Sequence, residues 1–335
     1  MNNKITSSTV FLSGETLVNY LPWHALIDAL RDIFTKAIEC PPRLHYPIRS
    51  SVNKHETHGT MLIMPCWSPG EYIGVKQVNV FPNNSKKNLP NLASHYLLSD
   101  ANSGTHLAQL DGGELTSRRT AAASALASTY LSRNDATSLL ILGSGNVARN
   151  LIYAHCSVRP INKITVWNHR FENAAALVKS ISADFPSVTL CAIKNEDLEH
   201  AVKACDIISC ATLSTSPIVK GSWIQPGTHI DLVGGFTPKM HEVDSACVSK
   251  AEVFVDTRSG ALSEAGDLLT PIKEGAFSPE DVQADLFDLC REHHKGRAQL
   301  TSIQDAITLF KSVGDSREDL AAASLAYNTH KNKSL

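Results

Sequence analysis

Several features are scarce in this chain of 335 residues, and each scarcity removes a class of function. No run approaches the ~18 consecutive apolar residues of a membrane span, so no transmembrane segment is expected. Neither sign of charge is in excess: 31 Lys and Arg against 33 Asp and Glu leave a formal charge of −2. A polybasic surface for nucleic acid or lipid is therefore not expected. Paired cysteines are missing as well. Cys40, Cys66, Cys156, Cys191, Cys205, Cys210, Cys247 and Cys290 include no Cys-x-x-Cys, and several lie in or beside apolar strand-like runs. They read as reduced core residues, not as a disulfide frame or a zinc site. His55-x-x-His58 has no third ligand in view, so no metal is expected. Met1-Asn2-Asn3-Lys4 leads only into a short apolar stretch, which predicts no secretory signal and a cytoplasmic protein. There is no internal repeat and no low-complexity segment.

What is present suits a two-domain protein. The length exceeds what one core usually covers, and 43% hydrophobic residues is ordinary for a soluble chain. The first part predicts a short strand (Thr9 to Leu12) and helices over Gly14–Leu21 and Pro22–Ile38, ended by Pro41-Pro42-Arg43. From Arg43 to about Asp111, short strands separated by turns predict an antiparallel α+β domain. Thr120 to Leu131 is alanine-rich and helical. Beyond it, Leu139–Leu142, Ile164–Trp167, Val188–Ala192, Asp206–Ala211, His229–Val233 and Val253–Val255 alternate with helical patterns. That alternation predicts an α/β domain with a Rossmann-type, doubly wound parallel sheet. Ser278-Pro279-Glu280 has the composition of a helix start, and Ser316-x-x-Asp319 resembles a capping box opening a helix that runs to about Thr329. The apolar stripe of that helix (Leu320, Ala323, Ala326, Tyr327) needs a partner, most simply the first domain. The expected division is 1–118 with 313–335 as a discontinuous first domain, and 119–312 as the second.

The strongest motif joins the apolar run Leu139-Leu140-Ile141-Leu142 to Gly143-Ser144-Gly145-Asn146-Val147-Ala148 and a following helix. A tight glycine turn lets backbone approach a pyrophosphate, which then sits at the positive end of the helix. The next strand ends in Asn168-His169-Arg170, where the fingerprint expects an acid for the ribose hydroxyls. A carboxylate repels a 2′-phosphate, whereas Asn, His and Arg donate hydrogen bonds to it. NADP(H) is therefore expected in preference to NAD(H), with NADH still possible. The expected cofactor set is Thr120, Gly143, Ser144, Gly145, Asn146, Val147, Asn168, His169, Arg170, Ala211, Thr212, Val233 and Gly234.

Over nearly its full length the chain resembles the ornithine cyclodeaminase/μ-crystallin family. The resemblance rests on Pro41-Pro42-Arg43, Met64-Pro65 with Gly74-Val75-Lys76, and Leu115-Thr116-Ser117-Arg118-Arg119-Thr120-Ala121-Ala122. It continues through Gly143-Ser144-Gly145, the segment Gly221 to His229, and Phe310-Lys311-Ser312-Val313-Gly314. The family implies a homodimer built on the α+β domain, and a small α-amino or α-imino acid bound between the domains beside a nicotinamide. Carried over by position, Arg43, Lys76 and Arg119 hold the substrate carboxylate. Arginine suits that task because its planar fork binds a carboxylate at two points. Arg118 and Arg119 are adjacent, so one is expected to face solvent; the resemblance selects Arg119 for the site.

One departure bears on the activity. After His229-Ile230-Asp231-Leu232-Val233-Gly234-Gly235 the cyclodeaminases place an aspartate where this chain has Phe236. Phenylalanine cannot do the acid–base work of a deamination. Phe236-Thr237-Pro238-Lys239-Met240-His241-Glu242 instead resembles the Phe-Thr-Pro-x-Met-x-Glu pattern of bacterial Δ1-pyrroline-2-carboxylate (ketimine) reductases. This resemblance implies NAD(P)H-dependent reduction of a small cyclic imino acid to proline, and of its six-membered homologue to pipecolate. Phe236 is expected to keep the substrate pocket dry, and Lys76 is the expected catalytic residue, with solvent an alternative source of the proton. Ornithine cyclodeamination, an amino-acid dehydrogenase of the same family and a non-catalytic, crystallin-like NADPH binder remain open.

Overall fold

The computed structural model describes residues 9–51 and 57–333. Met1 to Lys4 and His55, on which two readings above rest, lie outside the described residues. The chain opens with β1 (Val10–Leu12), α1 (Gly14–Tyr20) and α2 (Trp23–Thr35). Ser13 caps α1 by accepting the Thr16 N–H at 3.2 Å, and Pro22, with φ fixed by its ring, separates the two helices. Five strands follow: β2 (Leu44–Arg49), β3 (Thr57–Ser68), β4 (Tyr72–Val80), β5 (Leu92–Asp100) and β6 (His106–Asp111). The turn after β5 closes because the Asp100 carboxylate accepts the Asn102 and Ser103 N–H groups at 2.9 and 2.8 Å. These strands form one sheet in the order β1-β6-β5-β4-β3-β2, antiparallel throughout except that β1 runs parallel to β6.

Helix α3 (Gly112–Leu131) comes next, and its alanines 121, 122, 123, 125 and 127 are all fully buried. A helix that is apolar on every side belongs inside a fold. The alternation then begins: β7 (Ser138–Leu142), α4 (Asn146–Val158), β8 (Lys163–Trp167), α5 (Phe171–Ile181), β9 (Thr189–Ile193), α6 (Leu198–Lys203), β10 (Ile207–Cys210) and β11 (His229–Leu232). It continues through α7 (Ser245–Lys250), β12 (Glu252–Val255), α8 (Arg258–Glu264), α9 (Gly266–Lys273), β13 (Val282–Asp285), α10 (Leu286–Cys290), β14 (Thr308–Lys311) and α11 (Ser316–Lys333). All eight strands of this second sheet are parallel, ordered β13-β12-β14-β11-β10-β7-β8-β9. Every residue of β7, β10 and β11 is buried, as expected where helices cover both faces. The strand order reverses between β7 and β10, the switch point where doubly wound sheets bind their ligands.

The contacts divide the chain into two compact units, one running to Arg119 and resuming at Ser316, the other from Thr120 to Asp315. Within the first, α11 packs on α2 and on β3 and β4. No helix among the described residues is long and apolar enough to cross a membrane.

Three local readings are corrected. The Ser278 start leads only to a single 3₁₀ turn, Pro279–Asp281, and then to β13, because the apolar positions that follow are too few to face a helix inward. The helix expected from Thr120 begins at Gly112, so Arg118 and Arg119 lie inside it and both are buried. Neither faces solvent. Arg118 donates to the Leu21 carbonyl at 2.6 Å and stacks over Trp23 at 4.3 Å. Asp319, assigned by spacing to a helix cap, is drawn instead into a buried ion cluster.

Candidate active site

Within the first unit, Lys76 and Arg119 come together on a shared carboxylate. The Lys76 ammonium lies 2.6 Å from Asp319 Oδ2, and Arg119 Nε donates to Asp319 Oδ1 at 2.9 Å. Arg119 Nη1 donates to Glu318 Oε2 at 2.6 Å. Lys76 projects from β4, Arg119 from α3, and the two acids from the first turn of α11. All four side chains are buried. Burial lowers the Lys76 ammonium to about 8, Asp319 opposes the change, and the like charges of Arg119 and Arg43 reinforce it. For Asp319, burial acts upward but Arg119 and Lys76 outweigh it, so the carboxylate is held below its ordinary range. Arg43, half-buried just ahead of β2, is thus within electrostatic reach of Lys76. A pre-formed cluster of three cations suits a small carboxylate, which must share these donors with Glu318 and Asp319. From sequence, Glu318 had no role and Asp319 only that of a helix cap; the acid-rich opening of α11 was the available signal.

In the second unit, the glycine turn is built where the motif places it. Gly143 has φ of +121°, and a Cβ there would sit 2.5 Å from the Ala211 carbonyl oxygen, so only glycine fits. Gly145 caps α4 and is the opposite case: a Cβ there meets nothing within 4 Å. That open space in front of a helix N-terminus of 13 residues is what a dinucleotide pyrophosphate requires, so these residues fit such a cofactor. Asn146 and Val147 form the first turn of α4. Thr120 is buried in α3. Asn168 donates to Ser144 Oγ at 2.9 Å and accepts the Arg170 N–H at 2.9 Å, tying the turn to the end of β8. His169 and Arg170 are exposed beside it.

Ala211 and Thr212 follow β10, and Val233 and Gly234 follow β11. Their loops are joined by a residue with no role assigned from sequence. The Glu242 carboxylate, fully buried, accepts the Thr212 N–H at 2.6 Å, the Thr212 hydroxyl at 2.8 Å and the Gly234 N–H at 2.9 Å. Its own N–H donates to Asp267 at 2.6 Å, and Asp267 pairs with Lys311 at 3.0 Å. Burial, and then the charge of Asp267, push Glu242 up to about 7. Thr212 and Gly234 therefore spend their N–H groups on Glu242. The signal was the closing Glu of Phe-Thr-Pro-x-Met-x-Glu. Phe236 stands in the second unit after β11 and is 43% exposed. Asp231 does not replace the missing acid, since it is buried and accepts from Ser124 and Ser209 at 2.8 and 2.6 Å.

A glycine-turn cradle at the switch point of a parallel sheet, in a chain that also buries a cationic cluster, defines a Rossmann-type dinucleotide-binding protein. The family follows directly. The ornithine cyclodeaminase/mu-crystallin family model matches residues 9–334, and the chain belongs to that family. It is 65% identical over 330 residues to an uncharacterised protein of Schizosaccharomyces pombe, spanning 98% of this chain and all of that one. It is 36% identical to the Δ1-pyrroline-2-carboxylate reductase of Colwellia psychrerythraea, covering 93% of this chain and 96% of the relative. The structure of Thermococcus litoralis Δ1-pyrroline-2-carboxylate reductase in complex with NADH and L-proline superposes with a TM-score of 0.87 at 32% identity, over 98% of this chain and 99% of that one.

Proposed function

We propose that this protein is an oxidoreductase acting on a C=N bond. It uses NAD(P)H to reduce Δ1-pyrroline-2-carboxylate to L-proline, and Δ1-piperideine-2-carboxylate to L-pipecolate. The buried Lys76–Asp319–Arg119 cluster carries the reading, supported by the glycine cradle and by likeness to reductases of that name. Arg119 and Arg43 hold the substrate carboxylate and fix the ring's orientation, which removes much of the barrier to a single-carbon reduction. Lys76, poised near 8, holds a proton beside that carboxylate and passes it to the ring nitrogen, which is reducible in its cationic form. The bound nicotinamide supplies the hydride. Phe236 offers no acid or base, in keeping with a reaction that releases no ammonia.

The test is loss of reduced-nicotinamide absorbance with Δ1-pyrroline-2-carboxylate, beside an ammonia assay with ornithine and NAD. Oxidation without ammonia is expected; ammonia from ornithine would overturn the reading. In the first assay kcat/KM is expected to fall as pH rises through about 8, where Lys76 loses its proton. Lys76→Arg, which stays charged, removes that alkaline limb even as it slows turnover.

NADPH is the favoured reductant in this reading, because Asn168, His169 and Arg170 stand where an acid would select NADH. Asn168→Asp is expected to raise the KM for NADPH about tenfold or more, since charge-assisted contacts contribute about 1.5–3 kcal/mol. The KM for NADH is expected to change little. Equal effects on the two would remove these side chains from the 2′-phosphate site.

A further inference from the structure

Ahead of β2 the chain lies along β3 as an antiparallel pair. The Glu39 N–H donates to the Trp67 carbonyl and the Trp67 N–H to the Glu39 carbonyl, both at 3.0 Å. Residues that exchange both bonds are always followed by a pair that exchanges none, where the backbones approach to about 4.5 Å between Cα atoms. In this register the next pair is Cys40 opposite Cys66, and their sulfurs lie 3.1 Å apart. Such a pair meets the spacing a disulfide needs. Both are thiols in this structure; Cys66 is buried, whereas Cys40 is half-buried and open to a small oxidant.

The pair also adjoins the carboxylate clamp. Cys66 pairs with Gly74 and Met64 with Lys76, so by strand alternation Cys66 shares the face of the sheet that bears Lys76. Tyr96 stands opposite Lys76 and lies over Gly74, where an added Cβ would meet its hydroxyl at 1.7 Å, leaving no slack on that face. In the other direction, Cys40 is followed by Pro41, Pro42 and Arg43. Two prolines have fixed φ, which leaves few torsions between Cys40 and Arg43 to absorb a displacement at Cys40.

We propose that Cys40 and Cys66 form a reversible redox site, closed by a hydroperoxide, that controls the carboxylate clamp through Arg43. Cys40 sulfur attacks one peroxide oxygen, the O–O bond breaks, and a sulfenic acid and one water result. Cys66 sulfur then attacks Cys40 sulfur and a second water leaves. Two thiols and one hydrogen peroxide thus give one disulfide and two waters; the sulfurs lose two electrons and the peroxide gains them. A dithiol reductant reverses the change by exchange. Closure draws the sulfurs from 3.1 Å to about 2.05 Å. A displacement of about 1 Å at a binding group is enough to cost up to ~100-fold in turnover. The kinetic consequence rests on the reading of the site as an imino-acid clamp; the bond itself does not.

The experiment treats the whole protein with hydrogen peroxide, blocks remaining thiols by alkylation and maps the peptides. The expected result is a linked peptide joining Cys40 to Cys66, absent after dithiothreitol and absent in Cys40→Ser. With it, the KM for Δ1-pyrroline-2-carboxylate rises about tenfold or more, returns with dithiothreitol, and stays unchanged in peroxide-treated Cys40→Ser. Both cysteines found alkylated after peroxide would overturn the site. A linked peptide with unaltered KM in an enzyme that does reduce the imino acid would overturn its control of the clamp. In a protein that does not reduce the imino acid, the linked peptide still decides whether the site exists.

Discussion

Arg119→Ala is expected to abolish reduction of Δ1-pyrroline-2-carboxylate and to cost about 3–5 kcal/mol of stability, the usual result of breaking a buried ion pair from one side. The reason is the pairing that the structure shows. Arg119 contacts Glu318 at 2.6 Å and Asp319 at 2.9 Å, and without it two fully buried carboxylates lose the guanidinium that both of them contact. The sign of the pH effect follows. In the native protein Asp319 is held below its ordinary range, so its contribution to stability is present above the unfolded carboxylate pKa and lost as the pH falls through the folded value. Removing Arg119 leaves burial unopposed by its largest partner and raises the carboxylate, so the variant gains stability, relative to the native protein, as the solution is acidified. Urea unfolding at neutral and mildly acidic pH measures this difference. A variant equally destabilised at both would show that the acids are not ionised in the fold. Arg119→Lys separates chemistry from folding: it keeps a charge but loses the fork, and kcat/KM is expected to drop at least about tenfold with a smaller loss of stability than Arg119→Ala shows.

The second large effect concerns Gly145. Its Cβ position is empty, so Gly145→Ala is expected to fold normally and to unfold within about 1 kcal/mol of the native protein. Cofactor affinity, by contrast, is expected to fall about 100-fold, because the methyl fills the space in which a pyrophosphate approaches the helix N-terminus. Gly143→Ala gives the complementary pattern. It forces a side chain into the left-handed region and against the Ala211 carbonyl, so stability falls along with binding. Fluorescence titration of NADPH against unfolding curves taken without cofactor distinguishes the two. Native-like NADPH affinity in Gly145→Ala would exclude the turn from the cofactor site.

What the sequence disclosed depended on whether a residue's role was local. The glycine turn and the alternation of strands and helices were legible because each follows from neighbours a few positions away. Strand β14 was not: it ends in Lys311, and the charge that interrupts the apolar pattern is explained only by Asp267, 44 positions earlier in a different element. Asp319 was misread for the same reason. Its spacing from Ser316 fits a helix cap, and nothing nearby announces Arg119, a partner 200 positions away. Glu242 stood inside a recognised pattern, yet its task, gathering the Thr212 and Gly234 backbone, appears only when two strand ends lie side by side. Sequence separation hid the acids, while the cations were found through resemblance.

The interrupted first unit has a consequence for how the protein is made. A ribosome releases the chain from its N-terminus, and domains fold as they emerge. The unit from Thr120 to Asp315 is continuous and is ready to fold once its own residues are out. The earlier-made unit is not, because Lys76 and Arg119 wait for Glu318 and Asp319, which are translated after the whole of its neighbour. Of the two units, the one synthesised earlier is therefore the later to mature. A stop codon between positions 120 and 316 would leave Lys76 and Arg119 without the Glu318 and Asp319 carboxylates that they contact here.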